Sequence, residues 1–525
     1  MSQKLSLRAQ QPHTKHDSTG ALGTAIRIGV IALCILAQLA LLLALTFLLS
    51  KYAVLLYGAL AVVSMLTLFK LVNRHGSSAF RLAWVVILLV LPILGVLLYF
   101  AWGRVDFNRL ERGTLNRAFD RGFSLLPENA DTLEAFSAAY PEQAGIVRSL
   151  QSNRYPVYDG TSATYFPSGE AFFERLIEDL ESARQFIFIE FFIVGAGTLW
   201  DRVHALLRRK MEEGVEVRLL YDDVGCFFKI PDKYDRVLRK EGFKVCVFNP
   251  AHRFIASLYL NYRNHQKIVI VDGKVGYTGG INLADEYINV GSKLGHWKDV
   301  GARFEGLAVR SLSVTFLQMW NVANHTPDRE DAGYLREERV EGAGYYQPYA
   351  DGPANDPRNP ALDLFYEAAG GARQYLWITT PYLAIDQELL ASFCRAARSG
   401  VDVRIVTPAV CDHFYVGFVN RHNYRYLVQN GVKIYEYTPG FIHAKLMVWD
   451  DVCATVGTVN LDFRSLYLHY ENGVFTCGSP LVSDIREDIA QTIARSREIT
   501  REELEQQPLW KRLLGALFNL FSPLM

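Results

Sequence analysis

The chain has 525 residues, half of them hydrophobic and 21% charged, and its 55 basic and 55 acidic side chains balance to a net charge of zero. So large an apolar share excludes a disordered chain, and the length has room for three or four domains of about 150 residues. The neutral balance speaks against a protein that works mainly by holding nucleic acid, which carries a basic excess. Seven cysteines, an odd number without a CxxC pair, leave no disulfide framework or structural zinc site in prospect.

Apolar residues concentrate at the start. Residues 28–49 and 52–69 carry no charge, and 82–102 form a third run that contains Pro92. About 30 Å of hydrocarbon takes roughly 20 helical residues to cross. Residues 1–105 are therefore expected to be a multi-pass, membrane-anchoring region of two or three hydrophobic helices, with 106–150 as a linker. Basic residues divide almost evenly across three such spans, so charge decides little about orientation. The unpaired thiols favour a cytoplasmic location for the rest of the chain.

That remainder contains one unit twice. Ala183–Ile189 reappears as Ala372–Ile378, Gly214–Arg218 as Gly400–Arg404, and Gly242–Val245 as Gly431–Ile434, in the same order. Each copy reads as an apolar strand (186–193; 375–380), a helix (199–213; 387–399) and a second apolar strand (215–222; 401–407). A further helix and strand come next (232–240, 244–248; 420–429, 432–437). Apolar strands alternating with helices indicate an α/β fold. The lobes are expected over 151–340 and 341–503. The segment 504–525 puts Trp510, Leu513, Leu514, Leu517 and Phe521 at helical spacing beside Lys511 and Arg512. It reads as an amphipathic helix, lying either at a membrane interface or on the lobes.

Each copy closes on the same constellation. The first is His265, Lys267, Asp272, Gly279, Gly280 and Asn282; the second is His443, Lys445, Asp450, Gly457, Thr458 and Asn460. A strand over 265–271 would project His265 and Lys267 from one face. Asp272-Gly273 is a hairpin signal, and the return strand brings the glycines and Asn282 back beside the histidine. If the copies face one another, two imidazoles, two ammonium groups and two amides surround one small volume. That set matches a phosphoryl centre: lysines against the developing charge, one imidazole as nucleophile, the other as acid and then base. One histidine per copy among cationic neighbours makes a poor metal site, and no cofactor is expected. Asp272 and Asp450 belong to the motif, but their place at the turns points to fixing the hairpins. Downstream, Asp299 and Glu471 are candidates to orient the imidazoles, and Arg464-Ser465 to cap the second hairpin or touch substrate. Between Pro250 and His265 lie fourteen residues, against three between Pro439 and His443. Phe254, Ile255, Leu258 and Tyr259 of this insert would line an acyl-chain entrance or simply pack.

At these residues the chain resembles the phospholipase D superfamily, whose double HxKxxxxD signature it carries, and more narrowly the bacterial cardiolipin synthases. The likeness runs from about residue 80 to the C-terminus and includes YRNHQKIVIVDGKVGYTGGINLADEY (262–287) and FIHAKLMVWDDVCATVGTVNLDFRS (441–465). It implies two phospholipase D-like α/β lobes sharing one active site behind N-terminal transmembrane helices. It implies conversion of two phosphatidylglycerol molecules to cardiolipin and glycerol at the membrane; the neutral charge and the lack of a basic, aromatic-rich run speak against a nucleic-acid partner. His265 would be the nucleophile and His443 the general acid. Lys267, Lys445, Asn282 and Asn460, with Gly280 and Thr458 beside them, would hold the phosphate. The family pattern crosses the lobes, pairing Glu471 with His265 and Asp299 with His443. The sequence departs from it at Gly280, where many members have Ser, and at His469, where related enzymes often have Asn. A membrane phospholipase D, or a tethered nuclease, would use the same motifs.

Overall fold

The computed structural model describes residues 53–524 apart from 74–76, 104–108, 251–261, 325–330 and 354–357, with three isolated positions before residue 53. The chain divides into a unit of residues 1–75 with 84–103 and a unit of 76–83 with 104–525.

In the first unit a helix spans Ala53–Val72. The run expected as one continuous span over 82–102 is broken. Helix Ser78–Val90 stops, a second helix begins at Pro92, and the backbone from Tyr99 to Gly103 is π-helical. Proline offers no N–H to continue the ladder, so the register resets there. Among the described residues no helix is long and apolar enough to cross a membrane. The expected span 28–49 lies almost wholly outside the described residues.

The second unit holds two lobes with matching sheets. The first sheet runs, in spatial order, Thr161–Phe166, Gly301–Gly306, Val275–Gly279, Ile268–Val271, Phe186–Phe191, Glu216–Asp222 and Lys244–Phe248. The second repeats this order as Tyr345–Asp351, His469–Cys477, Cys453–Gly457, Leu446–Trp449, Tyr375–Thr379, Asp402–Pro408 and Lys433–Tyr437, and adds Ser496–Glu498 at its edge. The strands joined through helices are parallel and the hairpin strands antiparallel. All six side chains of Phe186–Phe191 are buried, as expected of a strand covered on both faces. Gly214 and Gly400 end equivalent helices at φ +90° and +96°, a conformation open to glycine at little cost.

The segment 106–150, expected as a linker, forms helices Arg109–Phe123, Ala130–Ala139 and Ala144–Ser152. Phe136, Ile146, Val147 and Leu150 are buried in the same core as Leu376 and Phe393 of the second lobe. Apolar spacing of three and four residues gives the third of these helices one inward face. The C-terminal segment is two helices, Arg501–Glu505 and Leu509–Phe521, separated at Pro508.

Candidate active site

The motif histidines do not lie within the hairpin strands. Residues 265–267 are irregular and the strand starts at Ile268. Each histidine is set instead by a short parallel pairing with the other lobe. Arg263-Asn264 pairs with His469-Tyr470, and Gly440–Ile442 pairs with His296–Lys298. The His265 N–H donates to Tyr470 O at 2.9 Å, and the His443 N–H to Lys298 O at 2.7 Å. The next residues on those partner strands are Glu471 and Asp299. His265 Nδ1 consequently sits 2.9 Å from Glu471 Oε2, and His443 Nδ1 sits 2.6 Å from Asp299 Oδ2. The register of two exchanged strands thus delivers each lobe's carboxylate to the other lobe's imidazole.

With Nδ1 committed to a carboxylate, Nε2 is the nitrogen left for chemistry on each ring. Both histidines and both carboxylates are buried. Lys267 Nζ donates to His265 O at 2.7 Å, and Lys445 Nζ to His443 O, so each ammonium is folded back beside its own imidazole. Burial pulls the Lys267 ammonium down to about 7 and that of Lys445 to about 8, with nearby carboxylates opposing. The His265 imidazole is held well below its ordinary value by burial and by Lys267, Lys445, His443 and Arg464. His443 is lowered too, by burial and Lys445, but Asp299 opposes that shift by charge and hydrogen bond. Gly280 of the first motif lies against the His443 carbonyl of the second, and each copy's lysine charge bears on the other copy's histidine, so the two motifs adjoin.

The other expected residues divide. Asn282 accepts from the Ile193 N–H at 3.0 Å and donates to Tyr287 Oη at 2.6 Å; Asn460 donates to Ser465 Oγ at 3.1 Å. Each amide thereby commits one of its two Nδ2 protons. Thr458 Oγ1 donates to Glu471 Oε2. At the corresponding place Gly280 lies against the Asp299 carboxylate and the His443 carbonyl, with no room for a Cβ. Asp272 and Asp450 are elsewhere: four strand residues, about 13 Å of chain, separate Lys267 from Asp272. Asp272 accepts from the backbone amides of Arg184, Gln185 and Phe186, and Asp450 from those of Arg373, Gln374 and Tyr375. These carboxylates clamp each hairpin turn to the start of the neighbouring strand. The insert carrying Phe254, Ile255, Leu258 and Tyr259 lies outside the described residues.

Among the described residues His265, His469 and Glu471 bring ligand atoms within 4.8 Å of one another. Arg464 Nε donates to His469 Nε2 at 3.0 Å, and the charges of Lys267 and Lys445 bear on the His265 imidazole, so the set suits an anion better than a cation.

The description "Cardiolipin synthase, PLD-like domain" matches residues 176–291 and 366–493, and a phospholipase D-nuclease N-terminal family matches 59–104. The major cardiolipin synthase of Bacillus subtilis (strain 168) is 32% identical over 487 residues, 88% of this chain and 96% of that protein. A cardiolipin synthase of Geobacillus kaustophilus is 31% identical over 472 residues, 89% of this chain and 92% of that one. The chain belongs to the cardiolipin synthase family of the phospholipase D superfamily. Its enzyme class is a phosphatidyltransferase of the phospholipase D type. In fold it is similar to phosphatidylserine synthase of Haemophilus influenzae Rd KW20, with a TM-score of 0.55 at 14% identity, covering 73% of this chain and 98% of that one.

Several supporting residues escaped sequence reasoning. Arg263 Nε lies 2.9 Å from Asp222 Oδ2, and that carboxylate also accepts from the amides of Asn264, Val224 and Gly225. This buried pair fixes the exchanged strand two residues before His265. Glu190 is fully buried and accepts from Asn264 Nδ2 at 2.6 Å; burial raises its carboxyl to about 8. The only signal in the sequence was an acid inside an apolar strand. His469 accepts from Arg464 at Nε2, which places its proton on Nδ1, 3.6 Å from Glu471 Oε1.

Proposed function

We propose that the enzyme transfers a phosphatidyl group from one phosphatidylglycerol to another through a phosphatidyl-histidine at His265. The carrying observation is the crossed pairing: each imidazole is oriented through Nδ1 by the other lobe's carboxylate, which leaves the Nε2 of each ring for the reaction. His265 is assigned as the nucleophile because burial and the nearby cations outweigh Glu471 and favour the neutral ring, whose Nε2 lone pair attacks. His443 is the acid because Asp299 works to keep its proton.

In the first half-reaction His265 Nε2 bonds to phosphorus, the bond to the glycerol oxygen breaks, and His443 gives that oxygen its proton. Glu471 offsets the positive charge that forms on the phosphorylated imidazole. Lys267 and Lys445 meet the charge on the phosphoryl oxygens, and the remaining Nδ2 protons of Asn282 and Asn460 orient them. In the second half-reaction His443 takes a proton from a hydroxyl of the incoming phosphatidylglycerol. The new P–O bond displaces His265 and yields cardiolipin. Burial of both imidazoles favours a lipid hydroxyl over water as the acceptor. The uncharged N-terminal runs would hold the enzyme in the cell membrane as a multi-pass protein with its lobes in the cytoplasm.

Incubation of the purified enzyme with phosphatidylglycerol alone should yield cardiolipin and free glycerol in equal amounts. Phosphatidic acid as the main product would overturn the transferase reading in favour of a hydrolase.

A further inference from the structure

Among the described residues, most of the exposed large apolar side chains of the catalytic unit sit in three segments. Two of these correspond through the internal duplication. At the constant offset of 186 residues that relates Glu216–Asp222 to Asp402–Pro408, Val224 matches Val410 and Phe228 matches Phe414. Their exposures are alike, at 41% and 49% for the valines and 59% and 63% for the phenylalanines. A scattered exposed apolar residue needs no explanation, but the same two at the same place in both lobes is a pattern.

Both segments follow the carboxyl end of a parallel strand and are tied to the catalytic groups. In the first lobe Asp222 accepts from the amides of Val224 and Gly225 while holding Arg263 and Asn264, which lead directly into His265. Cys226 Sγ accepts from the Val194 N–H beside Phe192, whose ring stands 5.0 Å from that of His265. In the second lobe Asp412 accepts from Tyr382 Oη at 2.5 Å, and its charge acts on Lys445.

The third segment extends the second lobe's apolar tip. Phe414 packs edge-on against Phe518 at 5.9 Å, and Gly515 lets helix Leu509–Phe521 approach the backbone at Phe418. The outer face of that helix exposes Leu509, Leu513 and Leu517, one turn apart, together with Trp510. Leu509, Leu513 and Phe414 also border a cleft of about 640 Å³ whose lining includes His422, Arg425, Lys511 and Arg512 and no carboxylate. Apolar tips beside a basic recess complement an anionic phospholipid surface, where side chains enter the acyl boundary and cations meet the headgroups.

We propose that Phe228, Phe414 and the outer face of the C-terminal helix form one docking surface, set around the catalytic mouth, that enters an anionic phospholipid bilayer. It rests on the reading of a lipid substrate and adds which face meets the bilayer. The duplication supplies one anchor per lobe, so the shared site is held against the lipid from both sides.

The test uses the full-length enzyme in vesicles of equal phosphatidylglycerol and phosphatidylcholine. Because the chain has eight tryptophans and Trp510 lies on the proposed surface, a tryptophan added by Phe228→Trp or Phe414→Trp in a Trp510→Phe background should add a component that acyl chains brominated near the headgroup quench, relative to that background. The double variant Phe228→Ser/Phe414→Ser should lose at least tenfold in turnover on vesicles while matching the parent on a short-chain, monomeric phosphatidylglycerol. Absence of quenching at both positions, or equal losses on vesicles and monomers, overturns the surface. Capture of a protein partner by these residues with no quenching by lipid would do so as well. A parent enzyme that makes no cardiolipin from either substrate would refute the lipid reading alone, because quenching is read without turnover.

Discussion

Glu471→Gln isolates the orienting carboxylate with the least change of shape. When His265 bonds to phosphorus its ring becomes cationic, with the Nδ1 proton donated to Glu471 Oε2 across an N–O distance of 2.9 Å. A hydrogen bond to a charged group contributes about 1.5–3 kcal/mol net, against about 0.5–1.5 kcal/mol for a neutral one. Direct attraction at that distance, with an effective dielectric near 20, is roughly 6 kcal/mol, an upper limit. Taking about 3 kcal/mol as the loss, formation of the intermediate should slow about 10²-fold at ~1.4 kcal/mol per decade. Glutamine keeps an oxygen for the Thr458 hydroxyl at the Oε2 position and puts its amide nitrogen in the Oε1 place, 3.6 Å from His469 Nδ1, with little change of shape. Rapid-quench measurement of the glycerol burst reads the step directly, with a thermal melt as control. A burst within threefold of the parent would refute the reasoning, since the carboxylate would then contribute nothing as charge develops.

The companion changes rest on the same geometry. His265→Ala should abolish both transfer and hydrolysis in a background free of other synthases; retained turnover would remove His265 as nucleophile. Gly280→Ala puts a methyl against the Asp299 carboxylate and the His443 carbonyl, and should cost roughly tenfold in kcat by displacing the acid's partner. Because Lys267 and Lys445 lose their charge near 7 and 8 in the free enzyme, kcat/KM for phosphatidylglycerol should fall as pH rises through that range. Unfolded lysines titrate near 10.4, so between about 7 and 10 the unfolded chain binds more protons and these two groups make stability rise with pH. Glu190 acts in the opposite sense. Its folded value of about 8 means the native state holds a proton that the unfolded chain has released above roughly 4.3, so its contribution falls as pH rises through that window. Glu190→Gln should therefore raise Tm at pH 9 by roughly 2–4 °C, measured by a thermal melt, and leave pH 4 unchanged.

The duplication, the α/β alternation and the two motifs are all local patterns, readable because strand burial and turn chemistry act over a few neighbouring residues. Asp272 at its turn signals its own structural job in the same way, and Gly214 and Gly400 mark helix ends by the conformation they permit. The break at Pro92 was legible as a proline, but a run of apolar residues alone does not say whether a helix passes through it. The helices within 106–150 were missed because their apolar faces are short and find their partners far along the chain, against residues near 376 and 393. Spacing alone could not pair Glu471 with His265 or Asp299 with His443, each separated from its partner by well over a hundred residues; only family likeness offered that pairing. Tertiary structure decides it, because backbone hydrogen bonds between exchanged strands set a register, and a slip of one residue would turn each carboxylate away from its imidazole. The buried Asp222–Arg263 pair and Glu190 belong to the same class. A charge is tolerated inside only when the fold brings a donor to it, and no sequence window contains both partners.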